Sequence, residues 1–225
     1  MMFRDRSDAG RRLAAKLLAW RDPPPVVLAL PRGGVPVGLE IARRLAAPLD
    51  LVMVRKIGAP HAQEYAIAAV AEGEPPELVR NERAIAALHI APAWLETAKQ
   101  AALGEIARRR ALWLGRRAPL ALAGHTAIVV DDGIATGATM QAALRATRRR
   151  NPARLVLAVP VAATAALALL RREADACVAL AAPEDFDSVG QFYERFPQLE
   201  DAQVTRLLAE AAALAHGQTP PARSS

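Results

Sequence analysis

Residues 127–140 read AIVVDDGIATGATM. Four apolar residues run into two adjacent carboxylates, Asp131 and Asp132, and a glycine- and threonine-rich loop precedes a helical pattern. Gly133 and Gly137 let backbone N–H groups turn toward one point, Thr136 and Thr139 add hydroxyl donors, and a helix N-terminus favours negative charge. Such a loop is suited to a phosphate. Carboxylates repel phosphate, so Asp131 and Asp132 must face another part of the same ligand. A sugar diol fits, because each carboxylate accepts hydrogen bonds from hydroxyls. A ribose 5-phosphate unit carries both groups at about this separation. No lysine follows Gly137, which excludes a Walker P-loop, and the glycine spacing is not that of a dinucleotide fingerprint.

Two other stretches carry candidate chemistry. In LALPRGGVPVG, residues 28–38, the loop Pro31, Arg32, Gly33, Gly34 follows an apolar run and opens a helical pattern. Small residues let backbone amides approach an anion, and Arg32 neutralises it. In VMVRKIGAPHAQEY, residues 52–65, Arg55 and Lys56 are expected to end a second strand beside a Gly/Pro loop.

These loops need a scaffold. PVVLAL, DLVMVRK, YAIAAVAE, HTAIVV, RLVLAVP and DACVAL read as strands. RRLAAKLLAW, PVGLEIARRLA, ATMQAALRATRRR and TAALALLRRE read as helices between them, and residues 92–117 as a long helix. Its apolar stripe is Leu95, Ala98, Ala102, Ile106 and Trp113, with arginines on a solvated face. Apolar strands alternating with helices predict an α/β fold, a parallel sheet covered on both faces, whose ligands sit at the carboxyl ends of the strands. Aromatics make up only 4% of the chain, so the core is expected to be Ala, Val and Leu. One domain is expected over 1–215, with an insertion at about 81–120, a hood at about 183–200 and a disordered tail at 216–225.

The longest apolar run, residues 155–170, is short of the roughly 20 residues a membrane span needs and is interrupted by Pro160 and Thr164. A soluble, cytoplasmic protein without a membrane partner is expected. The single cysteine, Cys177, excludes an internal disulfide and reads as a small buried residue. The net charge of +6 is compatible with nucleic acid or with a polyanionic small molecule. The basic residues are scattered and no helix-turn-helix or aromatic RNA platform appears, so nucleic acid is not the expected partner.

VVDDGIATGAT resembles the phosphoribosyl diphosphate-binding motif of type I phosphoribosyltransferases, and the chain is similar, over about residues 25–200, to the bacterial group called predicted phosphoribosyltransferases. The resemblance implies that Asp131 and Asp132 hold the ribose. Gly133, Ile134, Ala135, Thr136, Gly137, Ala138 and Thr139 then wrap the 5-phosphate. Arg32, Gly33 and Gly34 bind the diphosphate, and Lys56 beside Arg55 reaches it. It implies Mg²⁺, phosphoribosyl diphosphate and an unidentified acceptor base as ligands, catalytic roles for Asp131, Asp132, Lys56 and Arg32, and a cis peptide between Pro31 and Arg32. PEDFDSVGQFYERF, residues 183–196, is similar to the hood that clamps the base in purine enzymes, which makes Phe186 a stacking candidate and Glu194 a metal candidate. Ala135 stands where 6-oxopurine enzymes carry a second acid, so the loop is closer to adenine-type and orotate-type loops. The expected reaction is transfer of the phosphoribosyl group to a nitrogenous base with release of diphosphate, and a homodimer is left open. The alternatives are a non-catalytic sensor of the same ligand that binds nucleic acid, and a hydrolase for which His61 and Glu64 are the pointers.

Overall fold

The structure, a computed structural model, describes residues 2–215. The expected tail at 216–225 lies outside the described residues.

Five strands make a parallel sheet: β1 (Pro25–Ala29), β2 (Leu49–Leu51), β6 (Thr126–Val130), β7 (Arg154–Val161) and β8 (Ala176–Ala181), in the order β2-β1-β6-β7-β8. Their apolar runs are continuous because both faces are covered. Alternate residues divide between two cores. Val27, Ala29, Ile128, Val130, Val156 and Ala158 join one, and Val26, Leu28, Ala127, Val129, Leu155 and Leu157 the other. Against the first core pack α1 (Arg6–Lys16), α2 (Gly34–Leu45) and α7 (Asp201–Ala215), through Leu13, Leu39, Ile41 and Leu208. Against the second pack α5 (Ala138–Arg148) and α6 (Thr164–Leu170), through Met140, Leu144, Leu167 and Leu170.

The remaining strands correct the expectation of one continuous second strand. DLVMVRK breaks into β2 and β3 (Val54–Ala59), and β3 pairs with β4 (Ala62–Ala71) and β5 (Glu77–Arg80) in a separate antiparallel sheet. The break has a local cause. Val52 N–H still bonds the carbonyl of Ala29 at 3.1 Å, but Met53 exchanges its bonds with Glu72: its N–H donates to the Glu72 carboxylate at 3.1 Å, and Glu72 N–H donates to its carbonyl at 3.0 Å. Arg110 also donates to Glu72 at 2.8 Å, from the helix α4 (Pro92–Leu114).

The expected insertion is α3 (Glu82–Ala87) followed by α4. The anticipated stripe holds: Leu95, Ala102, Ile106 and Trp113 are buried in the first core, with Ala98 packed at its margin. Cys177 is half-buried on β8, and burial pushes its thiol pKa up. Among the described residues no helix is long and apolar enough to cross a membrane.

Candidate active site

The five strands are parallel, and the order of winding reverses at β1, with β2 on one side of it and β6 on the other. The crevice outside the carboxyl ends of β1 and β6 is the topological switch point, where such sheets bind ligands. The loops carrying Arg32 and Asp131 both leave from there.

The β1 loop lies directly on the end of β6. Leu30 N–H donates to the carbonyl of Val130 at 2.8 Å, and the peptide Pro31–Arg32 is cis, as expected. A Cβ on Gly34 would stand 2.6 Å from the Val130 carbonyl oxygen, and one on Gly33 only 2.0 Å from Oδ2 of Asp132. Glycine is required at both places by close approach. The approach brings the backbone of the Arg32–Gly34 loop against the acid pair.

Asp132 is buried and Asp131 partly so. Asp132 N–H donates to Oδ1 of Asp131 at 2.8 Å. Burial, and then the neighbouring Asp132, raise the Asp131 carboxyl well above the usual carboxylate range. Burial also raises Asp132, opposed by a guanidinium the sequence did not single out: Nε of Arg6 donates to its Oδ2 at 2.7 Å. The hydroxyl of Tyr193 donates to the backbone carbonyl of Asp132 at 2.6 Å, and burial holds that phenol protonated.

The loop beyond the acids is pinned to the sheet and open at its tip. Ile134 N–H donates to Val161, and Ala163 N–H donates to Ile134, so the chain is tied to the end of β7. Ala135 and Thr136 are exposed. Gly137, at φ +86°, turns the chain into α5, whose first-turn N–H groups have no partner within the helix. Ala138 and Thr139 form that first turn.

Residues after β8 roof the crevice. A cavity of about 590 Å³ is bounded by Arg6, Arg32, Gly33 and Asp132 below and by Val189, Phe196 and residues 197–199 above. A parallel bridge joins Phe3 to Tyr193, with Phe3 N–H on the Phe192 carbonyl and Glu194 N–H on that of Phe3, each at 2.8 Å. Tyr193 packs on Phe3 and Phe196 at 5.4 and 4.9 Å. Arg32 donates to the Leu199 carbonyl at 2.6 Å and lies 3.2 Å from Asp201, at the start of α7.

The structure therefore brings Arg32, Gly33 and Asp132 to the cavity wall, with Gly34 packed against Val130 and Asp131 and residues 133–139 leading on into α5. It does not bring the other candidates to the cavity wall. Arg55 and Lys56 are exposed on β3 of the antiparallel sheet, Arg55 lying 3.8 Å from Glu105 on α4. Phe186 packs on Phe192 at 5.2 Å, and Phe196 is the aromatic that lines the cavity. Glu194 is exposed beside the Phe3 bridge. His61 and Glu64 are exposed on the β3–β4 hairpin. Arg6 and Phe196 escaped the sequence reading because each gains its role from a partner more than 100 positions away. The one available signal was the run FRDR at residues 3–6, which places an arginine just after a helix-capping Asp5.

Residues 4–192 match the phosphoribosyl transferase domain. The chain belongs to that family. Proteins of two Mycobacterium tuberculosis strains, provisionally named as phosphoribosyl transferases, are 40% identical to it over 229 residues. The match takes in 99% of this chain and 51% of theirs, so the chain spans about half the length of the curated relatives it matches. The crystal structure of TT1426 from Thermus thermophilus is 42% identical, with a TM-score of 0.78 over 93% of this chain and 99% of that one. The five-stranded parallel sheet with its flanking helices is thus the family fold.

Proposed function

We propose that this chain binds 5-phosphoribosyl 1-diphosphate and transfers its phosphoribosyl group to a nitrogenous base, releasing diphosphate. The observation that carries the reading is the division of residues 131–139 at the switch point. Two carboxylates, Asp132 buried and Asp131 partly so, stand on one side and an open, glycine-turned helix N-terminus on the other. Few ligands need a diol acceptor and a phosphate cradle side by side.

The chemistry follows from charge. As diphosphate leaves C1 of the ribose, positive charge grows on the ring and negative charge on the leaving group. Asp131 and Asp132 hold the diol and favour the developing cation. Backbone amides of the Arg32–Gly34 loop, with the Arg32 guanidinium, face the leaving group. Lys56, exposed on the antiparallel ribbon, is the further cation that this reading assigns to the diphosphate. The acceptor enters beneath Phe196 and attacks from the opposite face, so positioning supplies most of the rate. No group of three or more metal-ligating side chains occurs among the described residues. Mg²⁺ would therefore be carried chiefly by the substrate's own phosphates, and the ion would neutralise diphosphate charge.

Incubation with phosphoribosyl diphosphate, Mg²⁺ and a panel of nitrogenous bases tests the reading. Diphosphate release that depends on one class of base is expected. Absence of both release and phosphoribosyl diphosphate binding would remove it.

A further inference from the structure

We propose that Arg6 is a positioning residue of this site: it clamps the Asp132 carboxylate as an oriented anion, so that the diol meets a ready acceptor. The inference rests on the phosphoribosyl diphosphate reading and adds a residue from the far end of the chain to it.

Four restraints aim this side chain. Asp5 caps α1, accepting from Asp8 N–H at 2.8 Å, which fixes the helix start at Arg6. The Phe3–Tyr193 bridge ties the preceding residues to the roof. The guanidinium lies over the Phe196 ring, 3.7 Å from its centroid. Its Nη1 donates to the Pro197 carbonyl at 2.8 Å. Its Nε donates to Oδ2 of Asp132 at 2.7 Å. Gly33 also crowds that oxygen, since a Cβ there would stand 2.0 Å from it, which leaves the carboxylate little room to turn away from Arg6.

Charge explains why a clamp is needed. Two adjacent buried carboxylates resist joint ionisation. Asp131 lies next in sequence, and the Tyr193 hydroxyl, a neutral donor, bonds the Asp132 backbone. Arg32 also faces the cavity but is paired with Asp201. Arg6 is the cation in direct contact with the pair. Without it, one proton would be shared between the two acids. A protonated carboxyl loses acceptor capacity, and it regains that capacity as pH rises.

The test is calorimetric titration of phosphoribosyl diphosphate with Mg²⁺ between about pH 6 and pH 8.5, on wild type, Arg6→Gln and Arg6→Lys. Relative to wild type, Arg6→Gln should bind about 30-fold more weakly at the acid end and recover to within about fivefold at the alkaline end, the size expected for losing a charged hydrogen bond. Inorganic phosphate, which has no diol, should bind both proteins equally. Arg6→Lys should show a smaller loss with the same direction of pH dependence, and it decides the matter if Arg6→Gln fails to fold by circular dichroism. A loss that is equal at every pH, or no loss, overturns the clamp. A wild-type chain that binds no phosphoribosyl diphosphate overturns the underlying reading instead.

Discussion

The floor and the roof of the crevice are built in opposite ways. The floor, residues 31–34 and 131–139, is made of two short loops whose residues act within a few positions of one another. The roof joins residues 3–6 to residues 189–201 through one parallel bridge, a stack of aromatic rings and bonds from Arg6 to Pro197 and from Arg195 to Asp5. The floor owes its shape to glycine, at places where any side chain would collide with backbone or carboxylate. The roof owes its shape to large side chains that fill space. A floor of that kind is rigid and tolerates no added atom. Apart from Arg6, which reaches down to Asp132, a roof of that kind should tolerate trimming, at the expense of stability more than of ligand recognition.

The sharpest challenge to that contrast lies in the floor. Replacing Asp131 and Asp132 together by Asn should weaken phosphoribosyl diphosphate binding by about 3 kcal/mol or more, since two charged acceptors are lost. Unchanged affinity by calorimetry, with the fold intact, would sink the ribose assignment. Gly33→Ala comes next. Its new methyl must displace the Asp132 carboxylate, an overpacking effect of about 1–3 kcal/mol that should appear in ligand affinity before thermal stability. If affinity holds and only melting temperature falls, the loop does not serve the acid pair.

A third prediction separates function from stability. The Asp131 pKa is raised in the folded protein by burial and by Asp132. A carboxyl whose pKa is raised on folding binds more protons folded than unfolded, so stability falls as pH rises from its unfolded pKa through its folded one. At pH 7 Asp131 therefore opposes folding. Asp131→Asn should stabilise the protein by about 1 kcal/mol at pH 7, and by progressively less toward pH 4, while weakening binding. Denaturant melts at both pH values check it, and a destabilised variant at pH 7 would contradict the sign. The smallest effect belongs to the roof. Tyr193→Phe removes one hydrogen bond to the Asp132 carbonyl and should lower stability by about 1 kcal/mol with ligand affinity nearly unchanged. A larger loss of affinity than of stability would mean that Tyr193, and not Arg6 alone, orients the acids.

The same contrast explains what the sequence made legible. The parallel sheet, both layers of helices and the α4 stripe were readable because each is a short periodic pattern. The floor was readable because its chemistry is contiguous. DLVMVRK was misread because its apolar run is continuous, while the change of partner at Met53 depends on Glu72, 19 residues on. Arg6 lies 126 positions from Asp132, and Phe196 outcompetes Phe186 at the cavity only once Phe186 has packed on Phe192. The helix α7 was not anticipated, although Arg32 is tied to its first residue, Asp201.

The central claim is that residues 131–139 divide one ligand, with its diol on the acids and its phosphate on the loop. A crystal structure with ribose 5-phosphate tests it most directly. The account predicts the phosphate within hydrogen-bond reach of the backbone N–H groups of Thr136–Thr139, at the start of α5, and the 2- and 3-hydroxyls donating to Asp131 and Asp132. Ribose 5-phosphate bound with its phosphate elsewhere, or with its hydroxyls turned away from both carboxylates, would contradict it.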